Sequence, residues 1–98
     1  MLAAKPESLP LLRSLARLAE ARGRREEALE LWKRYTAAAR PGDAPWYEGQ
    51  YQLARLDKEN GAKNGACARL RELKPAMPGL SDQELRARLD ALYKEVCR

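Results

Sequence analysis

Apolar residues recur along this chain at the three- and four-residue spacing of a helix face, in five stretches separated by glycine, proline and charged residues. Leu12, Leu15, Ala16 and Ala19 stand at i, i+3, i+4 and i+7, predicting a first amphipathic helix. Ser8 is placed to cap it, Pro10 falls in the opening turn, and Gly23 closes it as a left-handed residue. Ala28, Leu31, Trp32, Tyr35 and Ala39 form the stripe of a second helix. Glu26 and Glu27 sit in its first turn, where the helix dipole favours them, and Arg40-Pro41-Gly42 ends it. A link of two or three residues obliges these two helices to lie antiparallel.

Asp43 and Pro45 open a third helix. It carries Trp46, Gln50, Leu53, Ala54 and Asp57 along one face, has Tyr47 and Tyr51 on the flank, and stops at Asn60-Gly61. A fourth is expected from about Ala62 to Lys74, with Ala66, Leu70 and Leu73 inside, before Pro75 and Pro78-Gly79 break it. Ser81 with Glu84 reads as a capping box for a fifth helix, whose stripe is Leu85, Leu89, Leu92 and Val96. Residues 1–7 have no periodicity and read as a lead-in.

The first and third stretches share letters as well as spacing. Leu15-Ala16-Arg17-Leu18 returns as Leu53-Ala54-Arg55-Leu56, 38 positions later, and the same offset joins Gly23 to Gly61, Ala28 to Ala66, Trp32 to Leu70 and Tyr35 to Leu73. A period in the range of 20 to 50 residues is the signature of stacked repeats.

This set resembles the tetratricopeptide repeat. Leu15-Ala16 and Leu53-Ala54 resemble that family's leucine followed by a small residue. Gly23 and Gly61 fall at its inter-helix turn, Ala28 and Ala66 at its second-helix alanine, and Trp32 and Leu70 at its bulky site. Pro78 lies on its closing proline and Pro41 one residue past it. The departures are Leu12 and Gln50 at the early tryptophan, Ala19 and Asp57 at the first-helix tyrosine, and Tyr35 and Leu73 at the late alanine. The resemblance implies an all-α fold, a right-handed superhelical solenoid of helical hairpins with about five helices. Repeat 1 would span about 9–42, repeat 2 about 43–80, and a capping helix about 81–97.

Composition agrees with a folded helical chain. The 98 residues leave room for a single core, 45% are apolar against 34% charged, and there is no phenylalanine. The net charge of +5 favours acidic partners without choosing among them. No apolar run is long enough to span a bilayer.

The resemblance also implies a ligand groove lined by the first and third helices. Its candidate peptide-binding residues are Arg13, Arg17 and Glu20, then Glu48, Tyr51, Arg55 and Lys58. Arg17 and Arg55 are equivalent in the two copies, so each repeat would present an arginine able to grip a carboxylate with two hydrogen bonds. The expected partner is a protein or peptide segment, acidic in character. The alternative for these arginines is solvation, or pairing with Glu20 and Glu48.

No catalytic residue stands out. The chain has no histidine, no glycine-rich phosphate loop and no nucleophile beside a base, so neither enzyme activity, a small-molecule substrate nor a cofactor is expected. Cys67 and Cys97 lack metal-site spacing. They make an even pair compatible with a disulfide. A level hairpin about residue 78, however, sets Cys67 opposite Leu89 and leaves Cys97 eight residues further on, ~12 Å at the α-helical rise. That favours two free thiols, unless the 75–81 connection shifts the helices axially. Nucleic-acid binding would need Arg22, Arg24 and Arg25 to act with Trp46, Tyr47 and Tyr51, and acidic residues interleave with the basic ones throughout. Self-assembly through the bare face of residues 8–22 is the remaining alternative.

Overall fold

The computed structural model describes residues 8–97, and the lead-in expected at residues 1–7 lies outside them. Among the described residues every regular element is helical: α1 (Leu9–Ala21), α2 (Arg25–Ala38), α3 (Ala44–Glu59), α4 (Lys63–Leu73) and α5 (Gln83–Val96), with a 3-10 segment at Lys74–Gly79 between the last two. No helix among them is long and apolar enough to cross a membrane.

Local chemistry explains the boundaries. The Ser8 hydroxyl accepts the Leu11 amide of α1 at 3.5 Å, and Pro10 occupies a position where no amide hydrogen is needed. Gly23 and Gly61 take positive φ, 74° and 86°. At the first turn the Arg24 amide reaches back to the Ala19 carbonyl at 2.8 Å and Gly23 to Glu20 at 3.0 Å. At the second, Ala62 bonds Asp57 at 2.7 Å and Gly61 bonds Lys58 at 3.1 Å. Both are the paired closure that satisfies the last carbonyls of a helix. The 38-residue register thus has a physical basis: the same glycine closes two like helices, α3 being 16 residues to α1's 13.

α4 ends at Leu73, within a residue of the expected place, and from Lys74 the chain tightens into the 3-10 segment, because a proline at the start of a turn forfeits no needed hydrogen bond. Tyr47, fully buried on α3, donates its hydroxyl hydrogen to the Ala76 carbonyl at 2.5 Å and pins that segment. The cap of α5 is Asp82, not Ser81: its carboxylate accepts the Leu85 amide at 3.1 Å.

The helices stack in chain order, α1 on α2, α2 on α3, α3 on α4 and α4 on α5, with α5 also touching α3. The molecule extends over 48 × 30 × 21 Å. In so extended a stack one core does not suffice. Leu12, Ala16, Ala28, Trp32, Tyr35, Leu53 and Leu56 form one cluster, and Tyr47, Ala54, Ala66, Leu70, Leu73, Leu89, Leu92 and Val96 form another. They meet at α3, which gives Leu53 and Leu56 to the first and Tyr47 and Ala54 to the second. Gly49 allows α2 to approach α3, since a Cβ there would lie 2.0 Å from the Thr36 hydroxyl.

The stripe expected for α1 is corrected at Leu15, which is exposed, as are Leu11 and Leu18. Leu12, Ala16 and Ala19 are the buried residues of α1, and Leu9 packs against the same cluster. Cys67 and Cys97 are joined in a disulfide with Cα atoms 5.0 Å apart, in place of the free thiols that a level hairpin favoured. The 3-10 segment accounts for the difference. Helical backbone now carries the chain on to Gly79 and α5 opens only at Gln83, so Cys67 lies twelve positions before the reversal and Cys97 fourteen after it, which brings the two cysteines level.

Candidate functional site

The first, third and fifth helices share one side of the stack and line a cavity of about 450 Å³. Its walls are Arg13 and Arg17 from α1, Glu48, Tyr51 and Gln52 from α3, and Glu84, Leu85 and Arg88 from α5, with the Tyr35 hydroxyl at the base.

Glu48 organises this cavity. Tyr35 donates its hydroxyl hydrogen to one carboxylate oxygen at 2.7 Å, and Arg13 donates from Nε to the other at 2.8 Å. An Arg17 terminal nitrogen stands 3.8 Å from the same oxygen, a looser approach that leaves most of its donors to solvent. Burial, then the hydrogen bond to Glu48 and its charge, push the Tyr35 phenol well above its ordinary range, and the guanidinium groups of Arg13 and Arg17 oppose this more weakly. Tyr35 is therefore a fixed donor to the Glu48 carboxylate. Across from them, Arg88 bonds Glu84 at 2.7 Å on the exposed face of α5. Arg13, Arg17 and Arg88 are balanced in the lining by Glu48, Glu84 and Asp82, so the cavity is not net basic.

Four of the seven expected binding residues, Arg13, Arg17, Glu48 and Tyr51, gather at this cavity; Glu20, Arg55 and Lys58 do not line it. Arg55 is held by three partners: Gln52 at 2.9 Å, Glu59 at 2.8 Å, and Glu20 through its other terminal nitrogen. Glu20 also accepts the indole N–H of the fully buried Trp32 at 2.7 Å, a partner that a buried tryptophan requires. Burial works against the charge on Arg55, but the hydrogen bonds and charges of Glu20 and Glu59 outweigh it and hold its pKa above the ordinary value. Lys58 pairs with Glu95 of α5.

The equivalence of Arg17 and Arg55 in sequence is thus not an equivalence of role. The Arg17 side chain is 58% exposed and that of Arg55 25%. Pairing with Glu20 and Glu48 is the outcome for Arg55 and Arg13.

Sequence reasoning missed the α5 wall. A signal was present: Gln83 opens α5 39 positions after Ala44 opens α3, close to the 38-residue register. The fifth helix joins the first and third at the cavity although it lacks the shared letters. Tyr35 was assigned to the core alone; its ring is buried there, but its hydroxyl belongs to the cavity.

The basic and aromatic groups that nucleic-acid binding would combine lie apart. Asn60, at the end of α3, borders the Arg24–Arg25 turn, whereas Trp46 stands fourteen residues earlier on the same helix, ~21 Å away. Tyr47 is buried and Arg24 pairs with Glu27 at 3.6 Å. No cluster of three or more His, Cys, Asp or Glu among the described residues is placed to hold a metal ion. Comparison with family models, with curated proteins and with solved structures finds no match.

Proposed function

We propose that this chain is a non-catalytic protein-interaction module of tetratricopeptide-repeat-like build, which holds a peptide or protein segment in the groove between α1, α3 and α5. The observation that carries the proposal is the cavity of about 450 Å³ where three successive first-type helices converge with Arg17 and Tyr51 on its walls. Arg17 has only a long contact to Glu48, so its guanidinium can take a carboxylate in two-pronged fashion while Arg13 remains with Glu48. Tyr51 adds a rigid, amphipathic ring of the kind enriched where interfaces bind most tightly.

The segment best suited carries one acidic residue amid uncharged ones. A strongly acidic run would meet Glu48, Glu84 and Asp82 as like charges. Selection of a random peptide library on the immobilised chain, followed by titration of the enriched sequence, tests this. The expected result is a peptide with a single essential Asp or Glu, whose affinity falls ~10-fold or more in Arg17→Glu. Failure to enrich any sequence, or equal affinity for the two proteins, overturns it. Arg55→Glu is unsuitable as a probe, because it breaks the contact with Glu20 beneath Trp32.

A further inference from the structure

The three helices that wall the groove are tied to the stack by different means. α1 turns into α2 over residues 22–24 and α3 follows α2 after residues 39–43, whereas the longer connection 74–82 separates α4 from α5. On so long a tether α5 stays in place through what it touches. It buries Leu89, Leu92 and Val96, pairs Glu95 with Lys58, and bonds Cys97, the residue that follows its last turn, to Cys67 of α4. Its groove residues, Glu84, Leu85 and Arg88, lie in its first two turns. A helix of 14 residues is marginal in water without its packing, so α5 docks or leaves as a unit.

The disulfide is open to attack. A cavity of about 260 Å³ lies against it, lined by Asn64, Cys67, Ala68, Arg71, Val96 and Cys97. Cys67 is buried and Cys97 partly exposed, so an entering thiolate meets the Cys97 sulfur and Cys67 is the leaving group. Arg71 stands one helical turn beyond Cys67 on α4 and is the charged residue of this lining. A guanidinium beside a leaving thiolate stabilises it and speeds the exchange.

Resting on the groove reading above, we infer that the Cys67–Cys97 bond is a redox-sensitive strap: it holds α5 as the third wall of the groove, and reduction by a dithiol weakens the groove's hold on its peptide. The reductant's first thiolate bonds to the Cys97 Sγ as the Cys67–Cys97 bond breaks, and Cys67 departs with the electron pair. The second thiolate then displaces the Cys97 sulfur and closes a disulfide within the reductant. Two electrons and two protons pass from the dithiol to the two cysteines. Cutting a cross-link that spans a sequence separation of 30 returns chain freedom to the state in which α5 has left. That state gains population, and it offers the peptide two walls in place of three.

Amide hydrogen exchange and peptide titration, each on the oxidised chain and on the chain reduced with dithiothreitol, test the proposal. After reduction the α5 amides should exchange ~10-fold or more faster while those of α2 keep their rates, and the peptide enriched in the selection above should bind ~10-fold or more weakly. Cys97→Ser without reductant should reproduce both changes. Arg71→Glu should slow the reduction itself ~3-fold or more and leave the affinity of the oxidised chain unchanged. Exchange in α5 that ignores reduction overturns the inference whatever the groove binds, and so does equal peptide affinity in the two redox states. Loss of helical circular dichroism on reduction, meaning that the bond holds the whole fold, overturns it too. Failure to enrich any peptide on the oxidised chain overturns the groove reading and the gating with it, and is told apart by α5 amides that still respond to reduction.

Discussion

Ala16 and Ala54 are both fully buried, yet the leucines beside them live in different surroundings. Leu15 and Leu18 are 40% and 48% exposed, whereas Leu53 and Leu56 are 2% and 1% exposed. The alanine faces the helix that follows, which both copies possess. The leucines of α3 face α2, the helix before it, and among the described residues no helix precedes α1. The arginines diverge for a related reason. Arg55 sits within reach of Glu20 from α1, while Arg17 reaches only Glu48, at 3.8 Å, among the described residues. One four-residue phrase thus yields a core element on α3 and an exposed face on α1.

Truncating the leucines gives the largest contrast. Leu56→Ala should cost ~2–5 kcal/mol, since it leaves a cavity between α2 and α3, while Leu18→Ala should cost less than ~1 kcal/mol. Urea denaturation measures both. Equal losses would mean that α1 is covered as α3 is, and the comparison would fail.

The arginines give a smaller contrast. Arg55→Gln removes donors from Glu20 and Glu59 and should cost ~1–3 kcal/mol, whereas Arg17→Gln should stay within ~0.5 kcal/mol. The same denaturation assay decides, and a comparable cost at Arg17 would show its contact with Glu48 to be tighter than 3.8 Å implies.

The third effect concerns the acceptor that Arg17 shares. The phenol of Tyr35 is raised above its ordinary value of 10.0 by burial and by Glu48. Below pH 10 the folded and unfolded chains both keep that proton, and the contribution to stability is fully present. Above it the unfolded chain loses the proton first, so stability should fall as pH rises, by up to ~1.4 kcal/mol per pH unit from this group. Tyr35→Phe should flatten that part of the decline. Parallel stability curves for the two proteins between pH 10 and 12 would place the Tyr35 hydroxyl in solvent.

Much of the fold was legible because its causes are local. Ser8, Gly23 and Gly61 act within a turn, and the apolar spacing of α2 and α4 names Trp32, Ala66 and Leu70 as interior residues whatever they pack against. The site was legible only in part. Arg13, Arg17, Glu48 and Tyr51 lie on the expected side of α1 and α3, but Glu84 and Arg88 reach the cavity through a fifth helix that lacks the repeated letters. Arg55 was misplaced because its surroundings depend on Glu20, 35 residues away.

Helical periodicity, the 38-residue offset and the glycine closures follow from neighbours along the chain, so the amino acids alone determined five helices, their approximate ends and most of their inner faces. Which leucines are covered, which arginine is free and whether Cys67 meets Cys97 depend on what lies across from them. Those answers came from the order of stacking and from the axial advance of the Lys74–Gly79 segment, which sum contributions from distant residues and leave no mark in any single stretch.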